Sequence, residues 1–378
     1  MRSVGYGLWS RPEPVAASPL DRIMIHSLQR RSALRTTLGL AACIAAPRLA
    51  RAAINGQALR DAAEQVDLHA LLVWRRGDLL LQHYRRSRDK PINDWFSRDV
   101  DFGPDVLNDM RSVSKSVVSL LVGQAAGRGE LDVSRPVLDF YPDLAALRAG
   151  SQGGITLQHL LDMTSGLQWN EGVTSYGTAA NDETRLFWDR TPAAYVLDRP
   201  PSAAPGRLWN YNGGCTVLLA EVLQQRSRRK LIELAQADLF KPLGIERFEW
   251  RTGLHGQPLA YAGLRLTPPD LLKIGRLMLD AGRWQGLQVV PEAWVAATLQ
   301  PRIRIDGGPL SYGHQWWSGL ADAGDRRVAW TAGFGNGGQR LFVAPELDLA
   351  VVMTAGQYNS AQIGPAQMRL FRQIVATF

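Results

Sequence analysis

Cysteine is scarce in this chain of 378 residues, which contains only Cys43 and Cys215. Cys43 lies in an N-terminal segment that we expect to be removed, which leaves Cys215 alone. A single cysteine cannot form a disulfide within one chain and cannot supply a cysteine cluster for a metal ion. The sequence therefore predicts neither feature, and we expect no metal and no cofactor. Cys215 falls in an apolar helical stretch, where a packing role is expected.

The body of the chain also lacks an excess of charge of either sign. The formal net charge is +8, but residues 1–52 hold eight arginines against only Glu13 and Asp21, so the remainder carries +2. A domain that binds nucleic acid normally carries a basic surface, so we expect no nucleic-acid partner. No apolar run reaches the length of about 20 residues that a transmembrane helix requires. With 46% hydrophobic and 21% charged residues, the composition is typical of a folded protein.

Residues 1–52 have the pattern of an export leader. Gln29–Arg35 is a twin-arginine pattern, an apolar run extends from Leu38 to Ala46, and Ala50–Ala52 is a small-x-small cleavage site. The residues before Met24 resemble an over-extended start, and Met24 is the better initiator. We therefore predict removal of residues 1–52 and a periplasmic or secreted mature protein.

Two other interpretations of this segment stay open. Leu40-Ala41-Ala42-Cys43 resembles a lipoprotein box, in which case a lipid on Cys43 would anchor the mature chain. Alternatively, the segment forms an amphipathic N-terminal helix of the mature fold.

Apolar runs that resemble strands lie near both ends of the chain. His69–Trp74 and Leu79–Tyr84 flank a turn signal, and so do Leu341–Ala344 and Leu347–Thr354. Each pair predicts a β-hairpin. Helical patterns dominate the middle of the chain, and this order implies one sheet built from both termini.

We therefore predict an α/β fold with a single domain over residues 53–378. Sheet strands are expected at about 68–100 and 310–378, with an inserted helical part at about 105–300. The sheet should be antiparallel and flanked by helices.

The stretch Ser112-Val-Ser-Lys115 leads from a polar segment into a long apolar run. Residues three apart on a helix share one face, so a helix over 112–127 would place the Ser112 hydroxyl beside the Lys115 amine. A serine hydroxyl becomes a good nucleophile when a neighbouring group removes its proton. Burial at a helix N-terminus is expected to lower the pKa of Lys115 and make it a usable base. The spacing alone is weak evidence, because a capping serine and a surface lysine produce it too.

Two further segments strengthen this interpretation. Pro205–Gly214 is a turn that leads into a helix, with Tyr211 placed to carry protons to a leaving group. Trp330–Pro345 is a glycine-rich approach to a strand, where backbone can come close to a ligand. No Gly-Lys-Ser/Thr follows these glycines, which argues against a phosphate-binding loop.

Taken in this order, the three segments resemble the serine β-lactamase and penicillin-binding-protein superfamily, for which Ser-x-x-Lys is a known motif. The resemblance covers most of residues 68–376 and includes several connecting phrases. It is closest to the class C β-lactamase-like esterases and the 6-aminohexanoate-dimer hydrolase group. The phrases are Ile155–Leu167, Lys241–Ile245, Gly263–Leu271, Gly282–Gly286 and Tyr312–Trp317.

The resemblance implies roles for individual residues. Ser112 matches the nucleophile, Lys115 the general base and Tyr211 the tyrosine that shuttles the proton. Two backbone N–H groups, of Ser112 and of Asn336, match the oxyanion hole, with Phe334 as the fallback for the second donor if the hairpin is offset.

The sequence also departs from the family. Class C enzymes carry Tyr-x-Asn, whereas Tyr211-Asn212-Gly213 lacks that asparagine; they also carry Lys-Thr-Gly, where this chain has Gly333-Phe334-Gly335. The missing cation normally pairs with a substrate carboxylate. Its absence argues against efficient β-lactam hydrolysis and against carboxypeptidase activity.

An aromatic substrate pocket that suits apolar esters or amides is expected. Trp169 falls where the dimer-hydrolase group has a tyrosine that touches substrate. The expected lining residues are Trp169, Trp209, Trp330, Gly333 and Phe334. His159 and His314 are not needed as bases.

The sequence thus predicts an exported serine hydrolase that cleaves ester or amide bonds of small molecules through an acyl-enzyme on Ser112. One alternative is a β-lactamase or peptidoglycan DD-peptidase. A second is a penicillin-recognising module without catalysis, which the presence of Ser112, Lys115 and Tyr211 disfavours.

The leader gives a first testable prediction. Mass spectrometry of the exported protein should find its N-terminus near Ala53, because cleavage is expected after the small-x-small site. A mature chain that begins with a lipidated Cys43 would contradict this prediction and establish the lipoprotein interpretation.

Overall fold

The computed structural model describes residues 57–92, 94–172 and 174–378. The predictions on the leader, on Met24 and on Cys43 concern residues outside these ranges. The first described element is helix α1, residues 57–64. None of the described helices is long and apolar enough to cross a membrane.

An eight-stranded antiparallel sheet forms the centre of the structure. Both ends of the chain contribute to it, because the first strand pairs with the last one. This confirms the expected α/β fold, and both predicted hairpins are present. In order across the sheet, the strands are β10 (Ile303–Arg304), β11 (Ser311–Gly313), β12 (Trp316–Ala323), β13 (Arg326–Gly335), β14 (Gln339–Ala344), β15 (Leu349–Thr354), β1 (Ala70–Arg75) and β2 (Asp78–Tyr84).

Short strands lie outside this sheet. The region expected to supply sheet strands as far as residue 100 instead ends its contribution at Tyr84, because the next two strands pair only with each other. Both are rich in arginine and aspartate and mostly exposed, so they have no apolar face to bury. The short strands are β3 (Arg86–Asp89), β4 (Arg98–Asp101), β5 (Asn108–Asp109), β6 (Glu249–Trp250), β7 (Leu264–Leu266), β8 (Arg283–Trp284) and β9 (Leu287–Gln288).

Most helices fall between β5 and β10, as the helical patterns predicted. Three 3₁₀ segments (Val137–Phe140, Pro142–Ala149 and Ser151–Gly154) lie between α2 and α3, and a π-helical turn, Ala235–Phe240, follows α7. The helices are α2 (Val113–Gly127), α3 (Leu157–Leu161), α4 (Asp182–Trp188), α5 (Pro192–Leu197), α6 (Gly213–Ser227), α7 (Leu231–Leu234), α8 (Pro268–Leu279), α9 (Glu292–Leu299) and α10 (Ile363–Ala376).

The sheet has a core on each face. On one face α8 packs against β14, β15 and β1, and α2 packs against β13. On the other face, α1 and α10 cover a cluster in which the rings of Phe342 and Phe371 stack with centroids 4.0 Å apart. The sheet is therefore buried on both sides, which makes it a firm support for the segment that follows β13.

Helix α2 is buried along almost its whole length. It packs against α6, α9 and β13, and every residue from Val113 to Ala125 is buried. A helix that is apolar all round belongs in a protein interior. Its N-terminus is the exception, because Ser112 and Arg111 are partly exposed. The sequence thus places one end of a central helix at the surface.

Loss of the stacked rings of Phe342 and Phe371 should destabilise the fold without changing the contacts of α2. Replacing Phe371, which is fully buried, with alanine is expected to lower the free energy of unfolding by about 3–5 kcal/mol, because a cavity replaces a ring. Chemical denaturation measures this change. Arg372→Ala is the matched control, since Arg372 is exposed on the same helix; equal losses in both variants would contradict this assignment of the core.

Candidate active site

Ser112 lies at the N-cap of α2, directly after a strained turn. Arg111 has a φ of 48°, a left-handed conformation that non-glycine residues rarely adopt. The Ser114 hydroxyl donates to the Arg111 carbonyl at 2.6 Å and accepts from the Leu264 N–H at 3.1 Å. These bonds tie the turn to β7 and fix the point at which Ser112 leaves the interior.

Lys115 lies one helical turn further in and is completely buried. Its Nζ donates to Ser112 Oγ at 2.9 Å, to the Tyr261 carbonyl at 3.1 Å and to Glu183 Oε2 at 3.3 Å. A lysine ammonium has three protons to donate, and here three acceptors surround the nitrogen. This arrangement favours the charged form of Lys115.

Two buried carboxyl groups face the Lys115 amine. Glu183 Oε2 lies 3.3 Å and Glu171 Oε1 lies 3.6 Å from Nζ, and the three side chains are exposed by 11%, 0% and 0% for Glu183, Glu171 and Lys115. Glu183 stands in the first turn of α4, while Glu171 lies in the loop before that helix. The lysine is thus enclosed by acidic groups from two separate segments.

These neighbours reverse the effect of burial on Lys115. Burial alone disfavours the ammonium, but the neighbouring Tyr211, Glu171 and Glu183 groups favour it, and the net effect raises the pKa of Lys115 above its ordinary value. The sequence-based expectation of a lowered lysine pKa was therefore wrong. It omitted the carboxyl groups, which come from residues more than fifty positions along the chain.

Glu171 accepts more hydrogen bonds from the protein than Glu183 does. Its Oε2 accepts from the Gly213 N–H at 2.6 Å and from Trp169 Nε1 at 2.8 Å, while Oε1 accepts from the Tyr176 hydroxyl at 3.3 Å. Burial, and next the charge of Glu171, raise the pKa of Glu183 well above its ordinary value. Glu171 therefore accepts hydrogen bonds from three residues, whereas burial favours the protonated form of Glu183 by raising its pKa.

Tyr211 approaches the same group from the segment before α6. Lys115 Nζ lies 4.9 Å from the centre of the Tyr211 ring. Burial raises the pKa of the Tyr211 hydroxyl, while the charge of Lys115 and a hydrogen bond with Ser112 lower it, and the net direction is upward. Tyr211 is therefore a neutral phenol that can donate a proton beside Ser112.

Two backbone donors can face an oxyanion at Ser112. Gly335 packs so closely on the turn before Ser112 that an added Cβ would lie 2.4 Å from the Met110 carbonyl oxygen, so the end of β13 lies against that turn. Within the described ranges, neither the Ser112 N–H nor the Asn336 N–H has a hydrogen-bond acceptor. The Asn336 side chain is engaged elsewhere, with Asn359 at 2.8 Å. Both N–H groups are thus available to a ligand.

An aromatic cluster continues from Tyr211. Its ring centroid lies 6.2 Å from Trp209 and 5.7 Å from Trp317, and Trp317 in turn stacks on Phe334 at 5.7 Å. Trp209, Trp317 and Phe334 are all partly exposed. Two of the expected pocket residues, Trp209 and Phe334, therefore belong to a continuous aromatic wall beside Tyr211.

Trp169 and Trp330 occupy different surroundings. Trp169 is 7% exposed and uses its Nε1 to hold Glu171. Trp330 is 2% exposed and packs edge-on against Phe342 and Phe371 in the outer core. This geometry argues against a substrate contact for either side chain, because both are enclosed by protein.

Gly333 faces α2, where an added Cβ would lie 3.2 Å from Ser116 Oγ and from Val113 Cγ1. The nearby cation, Arg340, pairs in register with Phe334 on the other side of the strand. Its guanidinium lies 4.5 Å from the centre of the Phe334 ring and donates to the Gly335 carbonyl at 2.9 Å. Arg340 therefore stabilises the β13–β14 hairpin and does not supply the missing cation at Gly333.

Two of the histidines, His159 and His314, have structural partners. His159 Nδ1 accepts from the Thr156 N–H at 3.2 Å at the start of α3, and His314 Nδ1 lies 3.2 Å from the Thr298 hydroxyl. Among the described residues, no group of three or more His, Cys, Asp or Glu side chains could hold a metal ion.

Sequence reasoning missed the residues that surround Lys115 and complete the aromatic wall. Glu171 follows Trp169-Asn170 in a phrase from which only the tryptophan was selected. Glu183 stands in an Asn-Asp-Glu sequence that resembles an ordinary helix start. Trp317 belongs to a phrase quoted for the family resemblance, which was the only signal for it.

Comparisons with known proteins agree with this geometry. The family model described as beta-lactamase matches residues 57–372. The 6-aminohexanoate-dimer hydrolase of Paenarthrobacter ureafaciens is 26% identical over 311 residues, which are 78% of this chain and 74% of that protein. Esterase EstB of Burkholderia gladioli is 30% identical over 205 residues, 51% of this chain and 49% of that protein.

A solved penicillin-binding-protein homologue from Caulobacter crescentus has the same fold. Its TM-score is 0.67 at 18% identity, with 87% of this chain and 98% of that chain covered. At this identity, the similarity concerns the fold alone. The family model, however, spans most of the chain and includes the Ser112–Lys115 motif. The chain therefore belongs to the β-lactamase family of serine hydrolases.

Proposed function

We propose that this protein cleaves ester or amide bonds of small, neutral substrates through an acyl-enzyme on Ser112. The observation that carries the proposal is the 2.9 Å contact between Lys115 Nζ and Ser112 Oγ, with the Tyr211 hydroxyl beside them. A nucleophile, a proton-transfer group and a proton donor within reach of one another are the requirement for acyl transfer.

In the first step, Ser112 Oγ attacks the substrate carbonyl while its proton leaves through Lys115. The developing oxyanion accepts hydrogen bonds from the Ser112 and Asn336 N–H groups. Preorganised donors of this kind are usually the largest single contribution to such catalysis. The position of Ser112 at the start of α2 adds the positive end of the helix dipole.

In the second step, the neutral phenol of Tyr211 donates its proton to the leaving group. Water then attacks the acyl-enzyme, and Ser112 is released with its proton restored. The high pKa of Tyr211 suits this role, because a phenol that is protonated at neutral pH is ready to donate.

The substrate preference follows from the walls of the site. Trp209, Trp317 and Phe334 offer apolar surface, whereas Gly333 stands where a family lysine would pair with a carboxylate. Desolvating a carboxylate without a partner is costly. Neutral esters and amides are therefore favoured over β-lactams, and the 6-aminohexanoate-dimer hydrolase and esterase relatives support this choice.

We further propose that the protein acts in the periplasm or outside the cell. The support is the twin-arginine pattern at Gln29–Arg35 and the cleavage pattern at Ala50–Ala52. A small ester or amide is its only proposed partner.

A substrate panel tests the proposed chemistry. Purified protein should hydrolyse p-nitrophenyl acetate with a kcat/KM at least about 100-fold above that for nitrocefin, because an anionic substrate lacks a fixed counter-charge. Ser112→Ala should abolish both activities while the protein stays folded. Comparable turnover of the two substrates would support the β-lactamase alternative, and turnover retained in the variant would refute the acyl-enzyme.

The role of Tyr211 makes a separate prediction. In Tyr211→Phe, hydrolysis of an alkyl ester or a short amide should fall by about 100-fold or more, because general acid catalysis typically contributes that much. Hydrolysis of a p-nitrophenyl ester should fall far less, since p-nitrophenolate leaves without a proton. Equal losses for both leaving groups, measured as kcat/KM, would contradict a role in leaving-group protonation.

A further inference from the structure

The Lys115 amine is surrounded by more negative groups than a simple lysine base requires. We propose that the carboxyl pair Glu171–Glu183 is the final acceptor of the Ser112 proton during acylation, with the Lys115 ammonium as the relay. This proposal rests on the proposed function, because it concerns the proton that the attacking serine loses.

The contacts of Lys115 favour a relay over a free base. All three ammonium protons have acceptors: Ser112 Oγ, the Tyr261 carbonyl and Glu183 Oε2. A neutral amine would also fit these three contacts by accepting the Ser112 proton, but two carboxyl groups face Nζ and stabilise the ammonium. Lys115 can still accept that proton if it passes one of its own protons on to a neighbour.

The carboxyl pair is placed to receive that proton. Oε2 of Glu183 and Oε1 of Glu171 lie 3.3 Å and 3.6 Å from Nζ. Two carboxyl groups that face the same amine disfavour a double negative charge in an apolar interior, so the pair is expected to share a single proton. The pair therefore carries one negative charge at rest, which balances the ammonium and leaves one site open to a proton.

The step conserves protons and charge. The Ser112 O–H bond breaks as Oγ forms its bond to the carbonyl carbon, and the proton joins Lys115 Nζ. In the same step Nζ releases one of its own protons to the carboxyl pair, which becomes neutral, because an ammonium nitrogen has a lone pair only once it has lost a proton. The ammonium persists, and the new negative charge lies on the oxyanion held by the Ser112 and Asn336 N–H groups.

When the tetrahedral intermediate collapses, Tyr211 gives its proton to the leaving group. The pair then returns its extra proton through Lys115 to the Tyr211 oxygen, which restores the resting state. The enclosed pair is thus a proton store that is filled and emptied once in each acylation.

The pH dependence of this centre involves every titratable group around it. Lys115 comes from α2, Glu183 from α4 and Glu171 and Tyr176 from the loop before α4. From the other side come Tyr211, Tyr261, Tyr312 and Cys215, and burial raises the pKa of each of these four. These four groups stay neutral at neutral pH, so the carboxyl pair and Lys115 determine the charge.

Replacing the carboxyl groups with amides tests the relay. The variants are Glu183→Gln and the double variant Glu171→Gln with Glu183→Gln. The measurement is the rate at which a fluorophosphonate labels Ser112, together with kcat/KM for p-nitrophenyl acetate, from about pH 5 to about pH 10. Mass spectrometry of the labelled peptide identifies the modified residue.

In the wild type, the rate should be level from neutral pH to about pH 10 and should fall on the acid side, where the pair takes up its second proton. A free lysine base of raised pKa would behave differently: the rate would rise about tenfold per pH unit throughout the alkaline range. Such a rise in the wild-type rate would contradict the relay, and the wild-type protein alone is enough to observe it.

Glu183→Gln should lose about threefold or more at pH 7, because the proton must then pass to Glu171 Oε1, which lies 3.6 Å from Nζ against 3.3 Å for Glu183 Oε2. The double variant should lose about tenfold or more at pH 7. The acid limb of its profile, the pH range in which the rate falls as the pH is lowered, should also move to higher pH. The reason is that Lys115 must now release its own proton before it can act. An unmoved acid limb in the folded double variant would refute the relay.

Glu221→Gln is the matched control. Glu221 is a partly buried carboxyl whose pKa burial raises to about 6, and its partner is the Tyr141 hydroxyl at 3.2 Å. It lies on α6 without contact to Lys115, so its loss should leave the pH profile unchanged. A shifted acid limb in this variant would assign the limb to Glu221 and overturn the proposal.

Labelling of Ser112 distinguishes a failure of the proposed function from a failure of the relay. If the wild type carries no label on Ser112, the proposed function fails, and the relay fails with it. If Ser112 is labelled but the pH profiles contradict the pair, only the relay fails.

Discussion

The buried charge of Lys115 is the constraint on which the rest of the site depends. An ammonium inside a protein is stable only when charge and hydrogen bonds replace water. Here the Tyr261 carbonyl, Glu183 and Glu171 supply both, from three separate segments of the chain. Because each segment must be in place to neutralise the lysine, the same interaction that stabilises the charge also assembles the active site.

The central sheet holds the backbone of the active site in position. β13 is paired on both sides and buried on both faces, and Gly335 at its end leaves just enough room for the Met110–Arg111 turn. A side chain at that position would displace the turn that precedes Ser112. Backbone packing therefore positions the proposed oxyanion donors, whereas the charge of Lys115 positions the proposed proton-transfer groups.

The sequence predicted what depends on local pattern. Apolar runs located the two hairpins and α2, and the Ser112–Lys115 spacing placed the nucleophile and the lysine on one helix face. The resemblance to a family supplied Tyr211 and Asn336. The environment of Lys115 escaped prediction, because Glu171 and Glu183 reach it only through the fold. Trp330 was expected in the pocket because it is aromatic and close to the motif, but it lies further back on the same face of β13 as Phe334, where the outer core encloses it.

Neutron diffraction from the ligand-free protein at neutral pH tests the central claim most directly, because it locates exchanged deuterons. The account predicts three deuterons on Lys115 Nζ and one deuteron between Glu171 and Glu183, with Tyr211 protonated. A neutral Lys115 with two deuterons, whose lone pair faces a deuteron on Ser112 Oγ, would contradict it and restore the lysine as the direct base.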